Sequence, residues 1–89
     1  MAKRVEYKAS VEKDLRRLAA GDALRVFQKI EQALGSESEK GAALSGEFAG
    51  LFRLRVGDDR VIYARTDEGY LVLRIGHRGN VYARGRPPR

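Results

Sequence analysis

The chain has no cysteine and no tryptophan, and only one methionine and one histidine. Without cysteine there are no disulfides and no thiolate metal sites, which fits a reducing compartment. A single histidine leaves no transition-metal ligand set, so neither a metal nor any other cofactor is expected. No apolar run approaches the length of a membrane span. The opening Met1-Ala2-Lys3-Arg4-Val5-Glu6 lacks the apolar stretch of a secretory signal, so the expected location is the cytoplasm, with no membrane partner. The glycines never assemble into a phosphate-cradling or dinucleotide-binding loop. No local context supports a Ser-His-Asp triad. Asp58 and Asp59, adjacent in a turn, suit turn formation better than acid-base work.

What the chain does have is positive charge, unevenly placed. The 89 residues suffice for one domain and carry a net charge of +6. Residues 1–50 hold nine Lys or Arg against eight Asp or Glu, whereas residues 51–89 hold nine basic residues against four acidic ones. All nine in the second part are arginine. A basic surface can serve solubility alone. A basic excess confined to one part of the chain and carried there by arginine alone points instead toward phosphate, because arginine's planar fork contacts phosphate in a bidentate way that lysine cannot match.

Hydrophobic periodicity gives the organisation. Lys3 to Lys8 alternates Val5 and Tyr7 with charged neighbours, as a short strand does. Ser10 is placed to cap a helix carrying Val11, Leu15 and Leu18, with Glu12 in its first turn. Gly21-Asp22 breaks that helix and offers Asp22 as the cap of a second, whose apolar stripe is Ala23, Phe27, Ile30 and Leu34, with Gly35 as the stop. Residues 36–43 are expected to be a loop. From Leu51 the period becomes two. Phe52, Leu54 and Val56 define one strand, Gly57-Asp58-Asp59 a turn, and Val61 to Arg65 a second strand. Asp67-Glu68-Gly69 makes another turn, and Tyr70 to Gly76 forms a third strand with Leu71, Leu73 and Ile75 on one face. The expected fold is α+β and two-layered: an N-terminal strand, a helical hairpin, then a three-stranded antiparallel meander, β-α-α-β-β-β. The domain is expected over residues 1–84, followed by a loose basic tail, Gly85-Arg86-Pro87-Pro88-Arg89.

The same alternation places Arg53 and Arg55 together on the side of their strand away from the helices, about 7 Å apart at the backbone. Arg74 joins that face, as does Arg78 if the strand continues past Gly76, with Arg60 just after the turn. A cluster of guanidiniums without matching acids repels itself and suits an anionic partner. His77 is either structural or a proton carrier beside that face. Tyr82 is either a core or edge aromatic or a stacking platform for a base. Tyr63 and Tyr70 read as strand packing residues.

Two stretches carry a resemblance. Leu44-Ser45-Gly46 followed by Leu51-Phe52-Arg53-Leu54-Arg55-Val56-Gly57-Asp58-Asp59-Arg60-Val61-Ile62-Tyr63 looks like the central signature of RelE-type toxins. Val72-Leu73-Arg74-Ile75-Gly76-His77-Arg78-Gly79-Asn80-Val81-Tyr82 looks like their C-terminal signature. Together they resemble the RelE/ParE superfamily of type II toxin-antitoxin toxins over residues 3 to 83. For RelE-type members this implies a metal-independent mRNA endoribonuclease acting on the ribosome. The ribose 2′-hydroxyl attacks the adjacent phosphate, leaving a 2′,3′-cyclic phosphate and a 5′-hydroxyl. Carried over, Arg53 and Arg55, with Arg74 beside them, would hold RNA. Arg60 and Arg78 would stabilise charge on the phosphate, and Tyr82 would stack on or orient a base. The type member of the RelE group has lysines where this chain has Arg53 and Arg55, and arginine effectively cannot accept a proton. That leaves His77 as the residue best suited to proton transfer, Tyr82 as a weaker choice, and, as the alternative, Arg53 and Arg55 acting only through charge and position. The implied partners are an acidic antitoxin, the ribosome and mRNA. The alternatives are a ParE-type inhibitor of DNA gyrase and a decayed toxin that only binds its antitoxin.

Overall fold

The computed structural model describes residues 4–35 and 41–77. Strand β1 (Arg4–Tyr7) leads into helices α1 (Val11–Arg16) and α2 (Ala20–Leu34). The short strand β2 (Ala42–Ala43) follows, then a 3₁₀ turn at Gly46–Phe48, and then β3 (Leu51–Val56), β4 (Asp59–Arg65) and β5 (Gly69–His77). They form one sheet in the order β1-β5-β4-β3-β2. β1 is parallel to β5, and every other pairing is antiparallel. The helical hairpin therefore carries the chain from one sheet edge to the other, across one face. The expected α+β order holds, with one added strand. Ala42 and Ala43, expected in a loop, pair with Arg53 and Phe52. Two residues are too few to show a period of two.

Both helix starts differ from expectation. Ser10 is itself helical in conformation and makes no side-chain cap bond. The second helix starts two residues before Asp22, with Ala19 extended at the cap, so Asp22 lies in its first turn. There its carboxylate favours the helix dipole without capping. The buried stripe of α2 is also rotated. Val26, Ile30, Ala33 and Leu34 are buried, while Phe27 is 43% exposed. Phe27 instead stacks on Tyr7, with ring centroids 5.8 Å apart. The Tyr7 hydroxyl donates to the Glu31 carboxylate at 2.6 Å. Burial, then that hydrogen bond and the charge of Glu31, push the Tyr7 phenol pKa well up, so it remains a donor.

The core joins Val11, the buried residues of α2 and the inward faces of the sheet: Leu54 and Val56, Val61 and Tyr63, then Tyr70, Val72 and Ile75. On β5 this differs from the expected Leu71, Leu73 and Ile75. The β4–β5 register slips between Ile62 and Tyr63, so that Val72 pairs with Tyr63 but Arg74 pairs with Ile62. Leu73 is the extra residue of a bulge. The side-chain alternation shifts phase there, which brings Tyr70, Val72 and Ile75 onto one face.

Two glycines are required by geometry. Gly57 opens the two-residue β3–β4 turn at φ +60°, as the first position of a type II′ hairpin demands. At Gly69 a Cβ would collide with the Arg4 backbone, so the close parallel pairing of β1 and β5 excludes a side chain.

Asp14 is buried, and its carboxylate accepts a hydrogen bond from the Ile75 backbone N–H at 3.0 Å. β1 has run out at that point: Lys8 N–H bonds Val72 C=O at 2.9 Å, and Asp14 serves the next free donor along the β5 edge. Asp14→Ala should leave that N–H buried without a partner and lower stability by about 1–3 kcal/mol. Urea denaturation measures this, and an unchanged midpoint would show the bond contributes nothing.

Candidate nucleic-acid interface

Pairing registers fix which side chains share the face of the sheet turned away from α1 and α2, which is helix-free among the described residues. Phe52, Leu54 and Val56 pack inward, so Arg53 and Arg55 point outward. Val61 and Tyr63 pack inward on β4, so Arg60 and Ile62 point outward. Across the strands, Arg53 is opposite Ile62 and Ile62 opposite Arg74, while Arg55 is opposite Arg60 and Arg60 opposite Gly76. Two adjacent rows therefore read Arg53–Ile62–Arg74 and Arg55–Arg60–Gly76. With neighbouring strands about 4.8 Å apart, four arginine backbones lie within about 12 Å of one another. No acidic residue occupies either row. Like charges directly opposite on a sheet face destabilise it, so the Arg55–Arg60 pair is costly unless an anion sits against it. Gly76 completes the row without a side chain and leaves room beside Arg60.

The arginines are held differently. Arg60 is only 7% exposed, and its Nη1 donates to the carbonyls of Gly57 and Asp59, each at 3.0 Å. The guanidinium is thereby fixed at the hairpin, and both bonds use one nitrogen. Arg53 is half-buried, and its Nε is buried with no hydrogen-bond partner. An unpaired buried donor on a cation is expensive. Arg55 is exposed. Ile62 is fully buried although it lies on this face, between two arginines whose methylene stems are long enough to cover it.

His77 is not brought to this group. Alternation from the inward Ile75 sends Gly76 to the arginine face and His77 to the helix side, opposite Asp59 in register. Arg78 and Tyr82 lie outside the described residues, as does the domain boundary after residue 84. Arg65 was not among the sequence candidates; its guanidinium lies 4.2 Å from the centroid of the Phe52 ring, a packing role on the inward side. Asp14 was also missed, and its signal was an acid at a core-facing helix position, three residues after Val11. Among the described residues no three metal-ligating side chains converge, and no helix is long and apolar enough to cross a membrane.

The ParE toxin family model, described as the ParE toxin of the type II toxin-antitoxin system parDE, matches residues 5–82. The chain belongs to this toxin family. The family lies within the RelE/ParE superfamily, and solved structures agree. The toxin-antitoxin complex RelBE2 from Mycobacterium tuberculosis contains a chain 30% identical, with a TM-score of 0.70, covering 88% of this chain and 93% of that one. A mutant of the E. coli toxin RelE in the free state is 20% identical, with a TM-score of 0.68 and coverage of 86% and 84%. YafQ from E. coli is 17% identical, with a TM-score of 0.64 and coverage of 90% and 98%. The last two show the shared fold. No curated protein matches the sequence significantly.

Proposed function

We propose that this toxin is a ribosome-dependent mRNA endoribonuclease that acts in the cytoplasm and is neutralised by an acidic antitoxin. The observation that carries the reading is the acid-free double row of Arg53, Arg55, Arg60 and Arg74 on the helix-free face, with the orphaned Arg53 Nε among them. Arg53, Arg55 and Arg74 hold the RNA backbone. Arg60 and Arg78 meet the phosphate that reacts, and Tyr82 stacks on or orients a base. The ribose 2′-oxygen bonds to phosphorus as its proton leaves, and the bond to the 5′-oxygen breaks as that oxygen gains a proton. The products are a 2′,3′-cyclic phosphate and a 5′-hydroxyl. The nucleophile comes from the substrate, so no metal-bound water is needed. The site's contribution is positive charge where negative charge grows. Guanidiniums cannot take the proton, and the pleat turns His77 away, so the proton is not assigned to His77.

The antitoxin fits the same surface. An acidic, disordered segment can cover a basic face and fold on contact. The similar RelBE2 chain was solved within a toxin-antitoxin complex, which supports a partner of that kind here.

The match to the ParE model favours a second reading, inhibition of DNA gyrase without RNA cleavage. Arg78→Ala separates the two. In the nuclease reading it should slow mRNA cleavage about 100- to 1000-fold, while ribosome binding stays within about tenfold, roughly 1.4 kcal/mol. Primer extension on translated mRNA, run beside a supercoiling assay, measures this. Cleavage at the parental rate would remove Arg78 from the site. Loss of supercoiling with no RNA product at all would favour gyrase.

A further inference from the structure

A second cationic feature lies around the tip of the β3–β4 hairpin. Residues 25, 28, 29 and 32 are spaced as neighbours on a helix surface, so Arg25, Gln28, Lys29 and Gln32 form one stripe along α2. All four are exposed. Between the stripe and the hairpin is an open cleft of about 390 Å³, whose remaining lining is Arg55, Val56 and Gly57. Among the described residues no carboxylate lines it. Arg25 is paired with Asp22 at 2.8 Å. Its Nη1 lies 3.9 Å from where a Cβ on Gly57 would stand, so it reaches across to the turn. Among the described residues Lys29 and Arg55 have neither an ion pair nor a side-chain hydrogen bond.

Arg55 lines this cleft and also belongs to the arginine face. The two positive regions are therefore continuous around the hairpin tip. Gly57, held at φ +60° and by Arg60 at its carbonyl, is a fixed, side-chain-free wall between them.

We propose that the cleft is a second phosphate site, which grips the backbone of the RNA where that strand leaves the arginine face and passes the β3–β4 turn. This rests on the RNA-cleaving reading above. Arginine, lysine and glutamine side chains are the usual donors to nucleic-acid phosphates and sugars. The two glutamine amides can also accept, which suits a ribose hydroxyl better than it suits the carboxylates of an acidic protein.

The test is binding of the full-length chain to ribosomes programmed with a 2′-O-methylated mRNA that cannot be cleaved, measured across salt concentrations. Each phosphate contact to a single strand contributes about 0.7 to the log-log slope. Lys29→Gln should make the slope shallower by about that amount. Arg16→Gln removes the same charge from exposed α1, where Arg16 pairs with Glu12, and should leave the slope unchanged. Equal effects of the two variants would reduce the cleft to net charge and overturn the proposal. An unchanged slope for Lys29→Gln, with a shallower one for Arg55→Gln, would overturn the cleft and leave the nuclease reading intact. A flat slope for the parent protein would sink that reading and the cleft with it. If Lys29→Gln weakened only antitoxin binding, the cleft would be a protein site instead.

Discussion

Arg60→Lys should slow mRNA cleavage about 100-fold or more, while the protein still folds. Arg60 is nearly buried, and one guanidinium nitrogen is fixed by two turn carbonyls at 3.0 Å. The rest of the fork is thereby aimed before substrate arrives, and a donor that needs no reorganisation contributes most to a transition state. Lysine keeps the charge but has a single ammonium on a flexible stem. It can satisfy the turn carbonyls or address a phosphate, and it cannot do both in the geometry arginine allows. The loss should appear in single-turnover rate more than in ribosome affinity, because the contact strengthens as charge develops. Denaturation should show a smaller change, about 1–2 kcal/mol, for weakened bonds to the turn. If Arg60→Lys cut mRNA at close to the parental rate, Arg60 would be a turn clamp and nothing more.

The largest stability effect should come from Tyr63→Ala. Tyr63 is fully buried on the inward face of β4. Its ring stacks on Phe52 at 5.5 Å and meets Tyr70 edge-on at the same distance, while Arg65 covers the far partner, Phe52. Removing a buried ring of this size typically costs about 3–5 kcal/mol. A domain this small has only about 5–15 kcal/mol in total. Tyr63→Ala should thus lose a large share of the total stability, whereas Tyr63→Phe keeps the ring contacts and should lose far less. Urea denaturation of both variants measures the difference. A loss under about 1 kcal/mol for alanine would mean the aromatic cluster collapses around the gap at little cost.

Much of the fold was legible because its two periods are clear. Strands β3 and β4 place Phe52, Leu54 and Val56 inward and Arg53 and Arg55 outward, and that alternation is a local property of extended backbone. What misled was subtler. Phe27 sits at helical spacing with Ile30 and Leu34, yet Val26 and Ala33 define the buried stripe. The choice was made by how α2 lies on the sheet and by Tyr7, which offers Phe27 a stacking partner. Asp22 has the chemistry of a cap, but the backbone had already turned helical two residues earlier. Leu73 fitted the inward stripe of β5 until the bulge gave that strand one more residue than β4 beside it. Arg74 kept its face through that slip.

The sequence by itself determined the α+β order, the inward and outward sets on β3 and β4, and the arginine excess of the second part. Each follows from spacing along a single segment or from composition. The membership of the site was decided elsewhere. That Arg55 faces Arg60 with no acid beside it, and that Arg53 Nε is buried without a partner, depends on strand register. The cleft joining α2 to the β3–β4 turn likewise brings Lys29 to Arg55 across 26 positions of chain. Register and docking are fixed by which apolar surfaces can be buried together, and those surfaces meet only when distant segments fold onto one another.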